Sequence, residues 1–325
     1  MRLRLKTLRE DLTLAGIPMF SAIVSSQNPR VKSAAALRES RARRREGLFL
    51  VDGFREVLRA WRSSFEFVEV FWNAGLHVSP DEKVNVEAAL DEVGFPADRL
   101  ADFCQMLKEV DASGVSVVPL SSNAFEKISF GERNEGVVAV VRSKTYSLSA
   151  LDAALAKRRE ETGDEPLVAV IEGVEKPGNL GAILRSADGA GVDALIVVAS
   201  DYDVFNPNAV RGSLGAIFHI PIVVVPCAEA LAWLRERGLQ RVTALCDESI
   251  SYLQPDYRRP TAIILGSEAD GLTPPWSEET SEDAQNHALQ RIRLPMLGVA
   301  DSLNVSNAAA ILFYEARRVR SYSAK

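Results

Sequence analysis

Cysteine and histidine are scarce, three of each in 325 residues. Cys104, Cys227 and Cys246 lie far apart and have no metal-ligand spacing. An odd count in a chain of this size reads as reduced thiols in a cytoplasmic protein. His77, His219 and His287 are equally scattered, so neither a metal site nor a Ser/His/Asp triad is supported. His219, within Ile217-Phe-His-Ile-Pro-Ile222, reads as a packed, hydrogen-bonded histidine. No apolar run reaches the roughly 18 residues of a membrane span, which leaves no membrane partner. Met1–Glu10 has basic residues but neither an apolar core nor a small-residue cleavage site, which excludes a secretory signal. The chain lacks Gly-x-Gly-x-x-Gly, and without it or a suitable proton donor a dinucleotide-dependent oxidoreductase is disfavoured; Gly-Lys-Ser/Thr is absent as well. It also lacks an overall positive charge, since 38 Lys/Arg against 44 Asp/Glu give −6.

The remaining composition, 47% hydrophobic and 25% charged, is that of a soluble globular protein long enough for two domains. Its charge is uneven. Residues 1–62 hold 14 Lys/Arg and 6 Asp/Glu, a net of +8, which leaves 24 against 38, or −14, for the rest. A basic block on an acidic body suggests a polyanion partner, although a solvated helix face would look the same. The cluster Arg41, Arg43, Arg44 and Arg45, on a basic helix from Ala34 to Arg45, is the place for phosphate contacts, which depend little on sequence.

Strands and helices alternate along the chain. Residues 1–20 read as a disordered extension and residues 21–145 as a small α/β domain. That domain carries helices at Phe54–Trp61, Val84–Val93 and Ser122–Ile128, and strands at Phe67–Trp72, Val115–Leu120 and Gly136–Arg142. Ser147 to Pro166 reads as an Ala-Leu-rich helix followed by the polar run Arg158–Pro166, a shift in composition that marks a boundary, so 146–165 is expected as a linker. From 166 to 325 the strands are continuous apolar runs, at Leu167–Ile171, Ala194–Val198, Ile220–Val225, Val242–Leu245, Thr261–Leu265 and Ile292–Leu294. Both faces of their sheet should be covered, as in a parallel sheet flanked by helices. Helices are expected near Leu180–Ala190, Pro207–Ala216, Ala228–Arg237 and Leu303–Val319.

Three polar loops follow such strands, at the edge where open α/β sheets bind ligands. The first runs Glu172-Gly-Val-Glu-Lys-Pro-Gly-Asn-Leu-Gly-Ala-Ile-Leu-Arg185. Here Asn179 is a candidate helix cap, Gly181 and Ala182 allow the helix to approach the sheet, and Arg185 is either functional or half of a surface ion pair. The second is Leu265-Gly-Ser-Glu-Ala-Asp-Gly-Leu272, in which Gly266 permits close backbone approach and Glu268 is a turn residue or a ligand-orienting carboxylate. The third is Leu294-Pro-Met-Leu-Gly-Val-Ala-Asp-Ser-Leu-Asn-Val-Ser306. There Ser302 or Asn304 can accept a bond from the first free N–H groups of the helix that follows.

Together these loops resemble the SpoU/TrmH family of the SPOUT superfamily, S-adenosylmethionine-dependent RNA ribose 2′-O-methyltransferases. The resemblance rests on Asn179, Gly181-Ala-Ile183 and Arg185, on Gly266, Glu268, Gly271 and Leu272, and on Leu294–Ser306. Arg211-Gly-Ser-Leu-Gly-Ala216 matches a further family segment, and residues 22–60 look like the start of the family's N-terminal substrate-binding domain. Where the family commonly has Asp before Pro-Gly-Asn, this chain has Glu175-Lys176. The resemblance implies an α/β fold, a parallel-sheet catalytic domain with a C-terminal trefoil knot preceded by a smaller α/β RNA-binding domain. It further implies a homodimer that uses S-adenosylmethionine and no metal. Backbone groups at Gly266, Leu294 and Leu303 would hold the cofactor, and Arg185, Asn179, Glu268, Ser302 and Asn304 would form the catalytic site. Arg211 would join the N-terminal arginines on RNA. The expected substrate is 23S ribosomal RNA, with transfer RNA, or a non-catalytic RNA-binding or ribosome-assembly role on the same fold, as the alternatives.

Overall fold

The computed structural model describes residues 22–75, 95–130, 135–199, 201–245, 249–267 and 271–322. The extension expected over 1–20, the helix expected over Val84–Val93, and Glu268 lie outside them. The chain divides into two units, Met1–Ser143 and Lys144–Lys325.

In the first unit, β1 (Leu48–Asp52), β2 (Phe67–Asn73), β3 (Ser116–Leu120) and β4 (Val137–Arg142) form a sheet of order β1-β4-β2-β3. β4 runs antiparallel to β1 and β2, while β2 and β3 are parallel. One face packs Leu50, Phe71, Val118 and Val140 against Val31, Ala34, Leu37 and Ala42. The pleat sends Phe49 and Val51 to the other face. Helices Phe54–Arg62 and Leu100–Ala112 lie there, and the rings of Phe54, Phe95 and Phe103 meet with centroids 4.9–5.6 Å apart. Helix Leu100–Ala112 is absent from the sequence reading, although its buried Phe103, Met106, Leu107 and Val110 keep helical spacing.

The basic stretch expected as one helix is two, α1 (Pro29–Ala36) and α2 (Ser40–Glu46). Between them the N–H groups of Leu37, Arg38 and Glu39 fall back on the carbonyls three residues earlier, at 3.0–3.1 Å, a tightening that ends a helix. Arg43 then turns inward. Its guanidinium donates to the carbonyls of Leu37 and Arg38, both at 2.7 Å, and the residue is 4% exposed.

The second unit opens with helix Leu148–Thr162, the expected Ala-Leu-rich helix, which continues into the polar run. Its Leu151 and Leu155 are buried in one core with Val168, Ile196, Trp233 and Ile264. Seven strands follow: β5 (Leu167–Glu172), β6 (Ala194–Val198), β7 (Ile222–Val225), β8 (Gln240–Ala244), β9 (Ile250–Ser251), β10 (Thr261–Leu265) and β11 (Leu289–Arg293). They form a single sheet of order β7-β6-β5-β10-β8-β11-β9, parallel at every pairing. All carboxyl ends therefore open on one edge. β8 and β11 begin earlier than hydropathy indicates; β8 opens on buried polar residues whose partners come from elsewhere in the chain. The Gln240 amide donates to Asp256 O and Thr261 Oγ1 at 2.7 and 2.9 Å. Arg241, fully buried, is ion-paired with Asp283.

Opposite the Leu148–Thr162 layer, helix Pro177–Ala190 packs against the last helix, Val305–Tyr322. Arg320 fastens the end of that last helix, its guanidinium donating to the carbonyls of Tyr257, Glu165, Pro166 and Arg259.

Candidate functional site

The first loop leaves β5 at Glu172, and its helix starts three residues earlier than an Asn179 cap would give. Lys176 occupies the cap position and Pro177 the first helical one. Proline has the φ a helix needs and lacks an N–H that would go unbonded there, so it sets the start. Asn179 thus stands in the first turn instead of at the cap. Gly181 does not serve the sheet as expected. A Cβ on it would meet Ala209 O at 2.8 Å and Gly212 C and Cα at 2.9 Å, so this glycine lets helix Pro207–Gly212 close on helix Pro177–Ala190. Arg211 sits half-buried in that shorter helix.

Gly181, Arg185 and Asp188 share one face by helical spacing. Asp188 bonds His219 Nδ1 at 2.5 Å, which makes that histidine hydrogen-bonded but exposed instead of packed. Arg185 is exposed and makes no ion pair or hydrogen bond among the described residues, so the ion-pair reading is removed.

The second loop closes on itself. Ser267 N donates to Gly271 O at 3.0 Å, and Gly271 N to Ser267 O at 3.2 Å. The returning strand passes directly over Gly266: a Cβ there would lie 2.6 Å from Leu272 N and closer still to the carbonyl carbon and oxygen of Gly271. Only glycine fits. Gly271, with φ +69°, supplies the left-handed turn.

The third loop departs from β11 at Arg293, one residue before Leu294, and ends where Asn304 begins the last helix. Asn304 Oδ1 accepts from Ser306 N at 3.0 Å and its carbonyl accepts from Ala308 N at 3.0 Å. Of the two candidate caps it is therefore Asn304 that caps, with Ser302 exposed beside it. Its amide nitrogen reaches Asn179 Oδ1 at 3.3 Å, joining residues 125 positions apart. Among the described residues, no backbone N–H from Leu294 to Leu303 donates to a backbone carbonyl. Leu297 and Val299 are 97% and 104% exposed, in a protein whose other aliphatic side chains are mostly buried.

A cleft of about 190 Å³ joins the three loops, lined by Gly173, Val174, Glu175, Lys176, Asn179, Ser267 and Val305. Glu172, Ser267 and Val305 lie within the three loops but are not among the expected site residues. For Glu172 the signal was present, a carboxylate at the very end of an apolar strand. Among the described residues no group of acidic, histidine and cysteine side chains is arranged to hold a metal.

In the first unit, Arg41, Arg44 and Arg45 face outward, with Arg45 2.8 Å from Glu46. Arg43 does not join them. Its committed, buried guanidinium removes it from the expected phosphate contacts.

Comparison with known proteins agrees with this geometry. The model of the SpoU rRNA methylase family matches residues 166–314, and that of the MRM3-like substrate-binding domain matches residues 28–139. A 23S rRNA (guanosine-2′-O-)-methyltransferase RlmB of Ralstonia nicotianae is 31% identical over 238 residues, 72% of this chain and 89% of that protein. A 23S rRNA (uridine(2479)-2′-O)-methyltransferase of Streptomyces viridochromogenes is 35% identical over 199 residues, 58% of this chain and 63% of the other. The crystal structure of an AdoMet-bound rRNA methyltransferase from Sinorhizobium meliloti superposes with a TM-score of 0.71 at 26% identity, covering 91% of this chain and 97% of that one. With both domains matched in chain order on a parallel sheet of this kind, the chain belongs to the SpoU rRNA methylase family.

Proposed function

We propose that this protein transfers a methyl group from S-adenosylmethionine to a ribose 2′-hydroxyl of 23S ribosomal RNA. The observation that carries the reading is the bond between Asn179 and Asn304, which draws the first and third loops together at the carboxyl edge of a parallel sheet. The residues present fit the cofactor. Gly266 is held where its backbone is bare of any side chain, and the N–H groups of Leu294–Leu303 are uncommitted to backbone partners among the described residues. Polar backbone groups of that kind need partners. Gly266, Leu294 and Leu303 are the proposed contacts. When bound, the cofactor supplies an electrophilic methyl on a positively charged sulfur.

The chain must then hold the ribose in line and manage one proton. Alignment accounts for much of the barrier in such a displacement. As the new O–C bond formed, the methyl–sulfur bond would break to leave a neutral thioether, and the 2′-hydroxyl proton would pass to water. A guanidinium stays protonated at neutral pH and is a poor base. Arg185, free of any internal ion pair among the described residues, instead neutralises the developing alkoxide and the adjacent phosphate. Asn179 and Asn304 orient the ribose and Ser302 borders it; Glu268 is a further proposed site residue. Arg41, Arg44 and Arg45, with Arg211 on the catalytic unit, are the proposed phosphate contacts.

A homodimer accords with the bare Leu297 and Val299 beside the site, since exposed aliphatic groups of this kind mark contact surfaces. A trefoil knot accords with β10 lying between β5 and β8. The proposed location is the cytoplasm. The test is Arg185→Ala. Cofactor binding by calorimetry should stay within about threefold of the parent, and transfer to 23S ribosomal RNA should fall by two or more powers of ten, the range associated with one lost stabilising donor. Near-normal transfer would overturn the assignment.

A further inference from the structure

Glu172 is the last residue of β5, and its carboxylate is committed to a residue 101 positions away. One oxygen accepts from Thr273 N at 2.8 Å and the other from Thr273 Oγ1 at 2.9 Å. Thr273 follows immediately on the loop that begins at Gly266, and it occupies the position before the short 3-10 helix Pro274–Trp276. The contact is seconded one residue on. Gly173, with φ +67°, packs so closely that a Cβ on it would lie 2.8 Å from Ser267 Cβ. The second loop is thus tied within itself by the Ser267–Gly271 pair and tied to the first loop by Glu172. Charge-assisted, two-point bonds of this kind fix geometry as well as adding strength.

A thiol shares this neighbourhood. Cys227, the first residue of the helix after β7, has its thiol pKa raised by burial and by the negative charge of Glu172, while a bond with Thr273 acts the other way. Three strand ends, those of β5, β7 and β10, therefore converge on one carboxylate and one threonine.

Resting on the methyltransferase reading, we infer that Glu172 is a positioning residue: by gripping Thr273 at two points it sets where the Gly266 backbone stands relative to Asn179, and so sets cofactor affinity. A carboxylate suits the task because it offers two acceptors to the N–H and O–H of one threonine. Glutamine offers one acceptor and turns a donor toward the other group.

The experiment measures S-adenosylmethionine affinity by calorimetry without RNA, together with thermal melts, for the parent, Glu172→Ala, Glu172→Gln, Thr273→Val and Thr273→Ser. The inference expects Glu172→Ala to weaken affinity about tenfold or more, Glu172→Gln and Thr273→Val to fall between, and Thr273→Ser, which keeps both bonds, to stay within twofold. In turnover, KM for the cofactor should rise more than kcat falls. Folded Glu172→Ala protein that binds as the parent does would overturn it. So would a uniform loss of melting temperature with unchanged affinity, which is what a purely structural role gives. A parent that fails to bind S-adenosylmethionine would instead overturn the proposed function, so the two failures are distinguishable. Should Glu172→Ala not fold, the Thr273→Val and Thr273→Ser pair carries the same decision.

Discussion

Gly266→Ala tests the geometry of the second loop most sharply. The added methyl would stand 2.6 Å from Leu272 N and nearer still to the peptide of Gly271. Carbon atoms rest comfortably at roughly 3.5–4.0 Å, so the returning strand must retreat by about 1 Å or more. A retreat of that size breaks the paired bonds between Ser267 and Gly271, now 3.0 and 3.2 Å long. Each such bond contributes about 1 kcal/mol net. Overpacking in a site that cannot yield costs about 1–3 kcal/mol. Keeping the loop in its present position keeps those bonds but bears the overpacking in full, about 3 kcal/mol or more for contacts this close to backbone. Letting it detach forfeits only about 2 kcal/mol, so detachment wins. For a domain of this size that is a fall in melting temperature of roughly 4–8 °C. Cofactor binding needs the loop in place and must supply the remaining strain, which weakens affinity by roughly 10- to 100-fold at 1.4 kcal/mol per decade. Thermal melts and calorimetry with S-adenosylmethionine read the two effects separately. A Gly266→Ala protein that melts within 1 °C of the parent and binds within threefold, both on the order of measurement error for such effects, would refute the close approach. Gly178→Ala is the control. Its Cβ would meet nothing within 4 Å and it stands in a helix, so melting temperature should hold or rise.

Arg43→Ala should cost about 2–4 kcal/mol in urea unfolding, because two helix-end carbonyls lose a buried charged donor, with little change in the salt slope of RNA binding. The double variant Arg41→Ala, Arg44→Ala should do the reverse, leaving stability nearly intact and reducing the slope of log affinity against log salt by about 2. Burial alone would raise the Asp283 carboxyl, but bonds from Thr280 and Arg241 and the Arg241 charge outweigh it and hold it at about 2. Its folded value is thus depressed, so its contribution of about 2 kcal/mol is full above the unfolded value near pH 4 and is lost as pH falls through about 2. Urea midpoints of the parent and Asp283→Asn should accordingly differ most above pH 5 and converge towards pH 2; a constant difference would contradict the linkage. Asn304→Ala should lower stability by about 1 kcal/mol through its lost helix cap, and transfer by far more, since the Asn179 contact goes with it; equal losses in both assays would count against its site role.

The catalytic half was legible where burial and hydropathy coincide. Strands Leu167–Glu172, Ala194–Val198 and Thr261–Leu265 are wholly apolar or nearly so, and each polar loop stands out after its strand. β8 and β11 were legible only at their apolar ends. Gln240, Arg241 and Thr243 are buried polar residues whose partners, Asp256, Thr261, Asp283 and Gln290, come from distant parts of the chain and leave no local trace. At the first loop two start signals competed, and proline at the first helical position prevailed over asparagine as a cap. That displacement matters, because from the first turn Asn179 reaches Asn304. The basic stretch was read correctly as helical but not as broken, since its break depends on Arg43 reaching back to carbonyls five and six residues earlier. Charge counting cannot separate an arginine that serves the fold from one that faces solvent. Spacing within one segment likewise could not reveal the Glu172–Thr273 clamp, which exists only once two loops have met.

The most direct test of the whole account is transfer of labelled methyl from S-adenosylmethionine to unmodified 23S ribosomal RNA, followed by digestion to nucleosides and mapping of the labelled position. The account predicts label on a single ribose, as a 2′-O-methylnucleoside. Label on a base, or no transfer by protein that binds the cofactor and the RNA, would contradict it.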